Sequence, residues 1–198
     1  MPRILILGAN GQIARAATDL FLKRNDVELT LYLRDAKRLK HLVDAKRVHI
    51  VEGDVLDMLA LEAAIEGQEV VYANLAGQIE QQSQCIVNVM EKMGVKRLIF
   101  ISSMGIYEEV PGERYRSILD PYRNAARIIE ASGLDYTIIR PAWLNNRDEI
   151  AYGTTHKGEP FKNASEAVSR KSVADLVVKL AVTPSLEIHC SLGVHKAS

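Results

Sequence analysis

A short apolar strand that runs directly into a glycine turn is the feature that most constrains this chain. Residues Ile4–Leu7 are apolar, and residues 8–14 read Gly-Ala-Asn-Gly-Gln-Ile-Ala. Glycine permits a tight turn and a close approach of the backbone to a ligand, while the free N–H groups at a helix start donate to phosphate oxygens. The pattern therefore predicts a strand, a phosphate-binding turn and a helix, the arrangement that receives a dinucleotide pyrophosphate.

The spacing of this turn, Gly-x-x-Gly-x-x-Ala, differs from the Gly-x-Gly-x-x-Gly of many dehydrogenases, so the motif by itself has moderate specificity. Its position at the first strand-to-helix turn favours phosphate binding over an ordinary glycine turn. We therefore expect five residues to contact the pyrophosphate: Gly8, Asn10, Gly11, Gln12 and Ile13.

Length, charge and apolar content restrict the class of protein. With 198 residues, the chain fits one domain spanning residues 1–198. Lys plus Arg and Asp plus Glu number 25 each, so the zero net charge gives no general attraction to nucleic acid or to an anionic membrane. No apolar run approaches the roughly 18 residues of a transmembrane helix, and the first residues enter a strand without room for a signal peptide.

The two cysteines, Cys85 and Cys190, are far apart and lack metal-ligand spacing. We interpret both as reduced thiols with structural roles, which is typical of a reducing compartment. The expected location is therefore the cytoplasm, and no metal site is predicted. The expected partner is a small molecule, and the sequence does not decide between a monomer and a small homo-oligomer.

Apolar segments alternate with helical patterns along most of the chain. The six predicted strands are Arg3–Leu7, Glu28–Leu33, Val48–Glu52, Val70–Asn74, Arg97–Ser102 and Tyr136–Arg140. The helices predicted between them are Gln12–Arg24, Ala36–Val43, Met58–Ile65, Gln78–Met93 and Pro121–Ala131. This alternation predicts an α/β fold, a single Rossmann domain whose doubly wound parallel sheet has helices on both faces.

The C-terminal part of the chain is less regular. Residues 142–171 have no long period and contain two glycines and a proline, so we expect an excursion beyond the sheet edge, on the substrate side, with room for short strands. Ser172–Thr183 returns to helical spacing, and Leu186–Leu192 is a candidate final strand.

The end of the second predicted strand favours NADP, with NAD as the alternative. Arg34 stands where this fold reaches the adenosine ribose, and its planar guanidinium suits a 2′-phosphate, whereas a carboxylate there would suit a free 2′-hydroxyl. Lys37 and Arg38 add positive charge one turn later, although Asp35 would repel a phosphate. A solvated, basic helix start is the alternative interpretation.

Two further strand ends fit the same cofactor. Asp54 and Val55 follow the third strand, where a carboxylate can accept from the adenine amino group. Ala76 and Gly77 follow the fourth, where small residues leave room for a ribose. Because ligands of such sheets bind beyond the carboxyl edge, the recurrence of these signals at successive strand ends supports one cofactor site.

Together these residues resemble the atypical short-chain dehydrogenase/reductases, specifically the compact NmrA-like group that includes biliverdin-IXβ (flavin) reductase. The resemblance covers nearly the whole chain. It rests on the motifs at 8–14, Arg34-Asp35, 53–55, Ile101-Ser102-Ser103, 132–141 and 169–176.

In the wider superfamily, the resemblance implies a Ser, a Tyr and a Lys that assist hydride transfer. The Tyr and Lys stand four residues apart on a helix, where the ammonium lowers the pKa of the phenol. Ser102 or Ser103 falls where the serine belongs. Tyr122 is the tyrosine candidate, but Ala126 stands four residues later, and Tyr107 likewise lacks the lysine. The Tyr-x-x-x-Lys pair is therefore absent.

Each candidate also has a structural interpretation. Ser102 and Ser103 could simply bond a turn, and Tyr122 follows a helix-starting proline that suits a packing role. Tyr107 lies on the loop after the serines, where it could lie over the nicotinamide, and Pro141 is expected to pass the nicotinamide end.

The remaining polar candidates are weaker. Glu108 and Glu109 would disfavour an acidic substrate if they faced the pocket. His156 and His189 show no acid–base partner at a telling spacing, and we interpret His41, His49 and His195 as surface or strand positions. Trp143 is expected on the substrate side or in the core.

Two functions remain open. The first is an NAD(P)H-dependent oxidoreductase that passes hydride to a small aromatic or conjugated acceptor, such as a flavin or quinone, which can take its proton from solvent. The second is an NmrA-like redox-sensing regulator that binds NAD(P) without turnover. A sugar-nucleotide epimerase is disfavoured, because those enzymes generally use the Tyr-Lys pair and a larger C-terminal region.

Overall fold

The computed structural model describes residues 1–42 and 46–197, which form one α/β domain. Ten strands occur along these residues: β1 (Arg3–Leu7), β2 (Glu28–Leu33), β3 (Val48–Glu52), β4 (Val70–Ala73), β5 (Arg97–Ile101), β6 (Asp135–Pro141), β7 (Leu144–Asn145), β8 (Tyr152–His156), β9 (Val168–Ser169) and β10 (Cys190–Lys196). Five α-helices accompany them: α1 (Gln12–Leu22), α2 (Met58–Ile65), α3 (Ile79–Met93), α4 (Asp120–Glu130) and α5 (Arg170–Val182).

Eight of the strands form one sheet, in the order β3-β2-β1-β4-β5-β6-β10-β8. The first seven are parallel, and β8 joins β10 antiparallel. The chain winds outward from β1 in one direction and from β4 in the other, so the strand order reverses between these two neighbours. This reversal opens a crevice at the carboxyl edge, where ligands of such sheets bind. The predicted doubly wound Rossmann fold is confirmed.

Each face of the sheet carries its own hydrophobic core. Ile4 and Ile6 point to the face that α1 and α5 cover, whereas Leu5 and Leu7 point to the face covered by α2, α3 and α4. These four residues of β1 are fully buried, and only Arg3 at its start is exposed. A parallel strand covered on both sides must be apolar at every position, which explains why β1 reads as a continuous run instead of an alternating pattern.

The last strand was predicted too early. The structure starts β10 at Cys190, because residues before it form a turn in which Glu187 and His189 have positive φ angles of 51° and 54°. A left-handed backbone cannot continue an extended strand. The predicted helix over 36–43 is instead a 3-10 segment, Ala36–Leu42, kinked at Leu39, and Val43 lies outside the described residues.

Residues 142–171 contain short strands. One of them, β8, is the outermost strand of the main sheet, and the placement of the segment on the substrate side stays a prediction. Two shorter strands, β7 and β9, pair in parallel as a separate small sheet. Within the part of the chain that the structure describes, no helix is long and apolar enough to cross a lipid bilayer.

Candidate functional site

A groove of about 450 Å³ lies at the carboxyl edge, over the point where the strand order reverses. The turns after β1, β2, β3 and β4 all contribute to it. Seven residues predicted to bind the cofactor line this groove: Gly8, Asn10, Gly11, Arg34, Asp54, Val55 and Ala76.

The glycine turn after β1 leaves no room for side chains at its two glycines. Gly8 has φ +76°, and a Cβ there would lie 2.1 Å from the carbonyl oxygen of Asn74. A Cβ on Gly11 would lie 2.3 Å from Nδ2 of Asn74. Gly11 also caps α1 without a capping side chain. The N–H groups of the first helical turn are therefore available to a phosphate.

The other residues of the turn lie to either side. Gln12 lines a neighbouring groove of about 560 Å³ along α1, and Ile13 is buried in the core beneath the turn. Gly77, after β4, has φ +91° with no atom within 4 Å of an added Cβ. The predicted pyrophosphate and ribose contacts of these three residues stay predictions.

Arg34, Asp35 and Arg38 line one end of the groove together. The Nε atom of Arg38 donates to Oδ2 of Asp35 at 3.3 Å, and the backbone N–H of Lys37 donates to Oδ1 of the same carboxylate at 3.2 Å. Asp35 is therefore partly neutralised by its own neighbours. This reduces the repulsion that the sequence predicted between Asp35 and a 2′-phosphate.

Asp54 and Tyr32 shape the floor of the groove. Asp54 accepts from the backbone N–H of Leu56 at 2.9 Å through Oδ1, while its carbonyl accepts from the Tyr32 hydroxyl at 2.9 Å. A Cβ on Gly53 would lie 2.3 Å from that hydroxyl. Burial, helped by the nearby charges of Asp57 and Asp54, raises the pKa of Tyr32 to about 12. The phenol is therefore a neutral donor that holds the loop in place.

Sequence reasoning missed Gln82, a polar side chain on the buried face of α3. Its Nε2 donates to the carbonyl of Ala76 at 3.3 Å, and it lines the groove. Its Oε1 is buried without a hydrogen-bond partner among the described residues. A buried amide oxygen costs free energy unless a ligand or water satisfies it, so Gln82 fits a ligand-binding groove. In the sequence, the signal that could have identified Gln82 is an amide side chain on the apolar face of a predicted helix.

The ends of β5 and β6 place Ser102 and Ser103 beside Pro141. The backbone N–H of Ser102 donates to the carbonyl of Ile139 at 2.7 Å, and the carbonyl of Pro141 accepts from Met104 at 3.3 Å. The Ser102 hydroxyl is buried and has no partner among the described residues, whereas the Ser103 hydroxyl donates to the carbonyl of Met104 at 3.1 Å. Neither serine lines the groove, so their predicted contacts with the nicotinamide stay predictions.

The Tyr107 phenol is not free, and Tyr122 lies in the first turn of α4 without a lysine four residues later. The Tyr107 hydroxyl donates to Oε1 of Glu130 at 2.6 Å, and Glu130 is the last residue of α4. The last turn of a crossover helix lies toward the amino edge of a parallel sheet, away from the groove. Burial, with the Glu130 hydrogen bond, raises the pKa of Tyr107. Tyr122 packs against the core.

A tyrosine–lysine pair does occur, but elsewhere. Lys179 Nζ donates to the Tyr152 hydroxyl at 3.2 Å, and both side chains contact the carboxylate of Asp175. Tyr152 belongs to β8, the outermost strand, with β10, β6, β5 and β4 between it and β1. This pair is therefore remote from the groove.

Glu109 proves to be structural. Its carboxylate forms a buried ion pair with Arg140 and accepts from the backbone N–H groups of Gly105 and Tyr107 at 3.0 and 2.9 Å. Glu109 thus ties the loop after β5 to β6, and only Glu108 of this pair remains exposed. The expected repulsion of acidic substrates by Glu109 has no basis in this geometry.

This glycine-cradled groove at the strand reversal defines a dinucleotide-binding Rossmann protein. Residues 8–184 match the NAD(P)H-binding family, and the chain belongs to that family.

Relatives agree with the fold and with the resemblance to short-chain dehydrogenase/reductases. A Rossmann-fold NAD(P)-binding family protein from Shigella flexneri is 41% identical, with 99% of this chain and 94% of that chain covered and a TM-score of 0.88. A short-chain dehydrogenase/reductase from Veillonella parvula, solved in complex with NADP, is 30% identical, with 98% and 94% covered and a TM-score of 0.88. An uncharacterized sugar epimerase from Bacillus subtilis is 26% identical over 89% of this chain and 86% of its own length.

Proposed function

We propose that the protein is an NADP(H)-dependent oxidoreductase that transfers hydride to a small aromatic or conjugated acceptor. The observation that carries this proposal is the groove at the strand reversal, which combines a side-chain-free glycine turn with two arginines at its ribose end. Membership of the NAD(P)H-binding family and the NADP complex of the Veillonella parvula relative support it.

We assign each segment of the cofactor to one group of the predicted residues. The glycine turn, with Asn10, Gln12 and Ile13, holds the pyrophosphate through backbone donors. Arg34 takes the 2′-phosphate through its guanidinium, with Arg38 holding Asp35 aside. Further along the same edge, Asp54 and Val55 contact the adenine, Ala76 and Gly77 the ribose, and Ser102, Ser103 and Pro141 the nicotinamide.

The choice of acceptor follows from the missing Tyr-x-x-x-Lys pair. Bound NADPH supplies hydride, and the acceptor then needs a proton to complete its two-electron reduction. The Tyr107 phenol is bonded to Glu130, and the one tyrosine–lysine pair described above lies on β8. An acceptor whose reduced form takes a proton from water, such as a flavin or quinone, removes the need for a side-chain donor. Trp143, which is 55% exposed after β6, offers an aromatic face for such a ring.

The same observations favour a second candidate, a regulator that binds NADP(H) without turnover. Its binding site would be the same groove, and its lack of chemistry would follow from the missing Tyr-x-x-x-Lys pair. The two candidates differ only in whether hydride leaves the cofactor.

Calorimetric titration with NADPH and NADH, followed by an acceptor screen, tests both candidates. We expect clear preference for NADPH, and then oxidation of NADPH when flavins or quinones are added. Tight NADPH binding without oxidation by any acceptor would favour the regulator. Failure to bind either nucleotide would overturn both.

A further inference from the structure

Three side chains that commonly bind metals meet at the amino edge of the sheet, opposite the cofactor groove. His156 is the last residue of β8, Cys190 is the first residue of β10, and Glu187 lies in the turn before β10. Because β10 is parallel to β6 and β8 is antiparallel to β10, the start of β10 and the end of β8 share one edge. A ligand held here would not compete with the dinucleotide.

The distances within this cluster suit a small cation. The Nε2 atom of His156 lies 3.0 Å from Oε2 of Glu187, and one potential ligand atom from each of the three residues lies within 4.8 Å of the others. Tetrahedral zinc, with bonds of about 2.0 Å to nitrogen or oxygen and about 2.3 Å to sulfur, sets its ligand atoms roughly 3–4 Å apart. The His156 side chain is 50% exposed and Glu187 30%, so rotation of these side chains can close the remaining gap.

The backbone of the turn is held in place independently of any metal. The hydroxyl of Thr137 donates to the carbonyl of Glu187 at 2.7 Å, and Nη2 of Arg97 donates to the carbonyl of Leu186 at 3.0 Å. The Sγ atom of Cys190 lies 3.3 Å from the carbonyl of Ile188. The protein therefore positions the carboxylate and the thiol before a cation arrives, which lowers the entropy cost of binding it.

The donor set is one thiol, one imidazole and one carboxylate, each of which is an established ligand type for zinc. Hard cations such as Mg²⁺ and Ca²⁺ select oxygen ligands, so the thiol argues against them. We propose that His156, Glu187 and Cys190 form a binding site for a divalent transition-metal ion of the zinc type. With these three ligands, one coordination position stays open to water or to an external anion.

The surroundings leave space for that fourth ligand and carry charges of both signs. A cavity of about 290 Å³ adjoins the cluster, lined by Glu130, Tyr136, Lys157, His189 and Ser191 besides the ligands His156 and Cys190. The Lys157 ammonium pairs with Glu130 at 2.7 Å, so that cation is already neutralised.

The Cys190 side chain binds a metal ion as the thiolate. A metal ion therefore displaces the thiol proton to solvent as it binds. The ionised thiolate and carboxylate then offset the charge of the dication.

Cobalt(II) titration of the full-length protein, kept reduced with a phosphine, tests the proposal directly. We expect one equivalent of Co²⁺ to give a thiolate-to-cobalt charge-transfer band and intense tetrahedral d–d bands, which added Zn²⁺ abolishes. The Cys190→Ser variant should lose the charge-transfer band. The His156→Gln variant should bind at least about tenfold more weakly, because removing even an outer-shell partner of a metal ligand costs that much.

Two matched variants separate a built site from adventitious binding. Cys85→Ser removes the other cysteine, which lies on α3, and His49→Gln removes a histidine that contacts Glu28 at 2.8 Å without a neighbouring thiol. Both should titrate like the wild type, and Zn²⁺ should raise the Tm of the wild type but not of Cys190→Ser. Absence of a charge-transfer band in the wild type, or its loss on Cys85→Ser, would overturn the proposal. NADPH binding, measured in parallel, reports on the cofactor groove separately.

Discussion

The two ends of the cofactor edge are built by different means. The adenosine end is shaped by closely packed turns: a Cβ on Gly8 would meet the backbone carbonyl of Asn74, and Cβ atoms on Gly11 and Gly53 would meet the side chains of Asn74 and Tyr32. The nicotinamide end is shaped by side chains, chiefly the ion pair between Glu109 and Arg140 that ties the loop after β5 to β6. In the proposed function, the first region binds the dinucleotide and the second lies beside its reacting ring.

The residues of the binding region are therefore easier to identify in the sequence than the residues of the reacting region. A backbone cradle requires glycine at particular positions and so leaves a readable trace in the sequence. A side-chain-built region depends on pairs that are distant along the chain, and many such pairs serve stability alone.

The largest expected effect belongs to the nicotinamide end. Glu109→Ala leaves the fully buried Arg140 without its carboxylate, which should lower the free energy of unfolding by about 3–5 kcal/mol. Chemical denaturation measures the loss. Below the melting transition, affinity for 2′,5′-ADP, which occupies only the adenosine end, should stay unchanged.

Glu108→Ala is the matched control, since Glu108 is exposed and next to Glu109 in the chain. Its unfolding free energy should stay close to that of the wild type. Equal losses in the two variants would show that the loop is not held by the buried pair.

The Gly8→Ala variant tests the adenosine end. The added Cβ meets the Asn74 carbonyl at 2.1 Å and displaces the turn that offers its N–H groups to the pyrophosphate. Loss of one donor to a charged oxygen costs about 1.5–3 kcal/mol, so the Kd for NADPH should rise roughly 10- to 150-fold. Calorimetric titration measures the change.

Gly94→Ala controls for backbone strain, because Gly94 also has a positive φ, +71°, but open space around its Cβ. It should lose stability through strain of about 1–3 kcal/mol and keep its affinity for NADPH. If Gly8→Ala also kept wild-type affinity, the cradle would not be the pyrophosphate site.

Arg34→Ala should discriminate between the two nucleotides. Its guanidinium is exposed at the rim of the groove, so solvent screening places the loss at the lower end for a charged contact, roughly tenfold in the Kd for NADPH. The Kd for NADH should change little, because NADH lacks the 2′-phosphate. Arg24→Ala, which breaks only the surface pair with Asp26, should leave both nucleotides unaffected. Equal losses for NADPH and NADH would refute the assignment of Arg34.

The sequence predicts the adenosine end better than the rest of the site for a physical reason. Strand β1, its glycine turn and Arg34 follow from local patterns: a buried apolar run, a backbone that tolerates no side chain, and a charge at a strand end. The groove brings together seven of the residues predicted this way. Their contacts with the cofactor stay predictions.

Other features depend on contacts that no local pattern encodes. The Tyr107–Glu130 bond joins residues 23 positions apart, and the His156–Glu187 contact joins residues 31 apart. The antiparallel strand β8 consists largely of small and polar residues, so no apolar pattern marks it within residues 142–171. Gln82 was predicted as helical, but its role in the groove becomes visible only in the folded structure, where its Oε1 has no partner among the described residues.

The smallest expected effect distinguishes Tyr107 from Ser102, the tyrosine and serine candidates for the catalytic step. Tyr107→Phe removes only the hydrogen bond to Glu130, so the free energy of unfolding should fall by about 0.5–1.5 kcal/mol while kcat stays unchanged. Burial and Glu130 raise the pKa of this phenol, so it stays protonated through neutral pH and adds no ionisation to the rate profile. Ser102→Ala removes the hydroxyl that has no protein partner among the described residues, and should lower kcat with little change in the free energy of unfolding. The reverse result, with Tyr107→Phe inactive and Ser102→Ala active, would make Tyr107 the proton donor and place the reaction on the Glu130 side of the sheet.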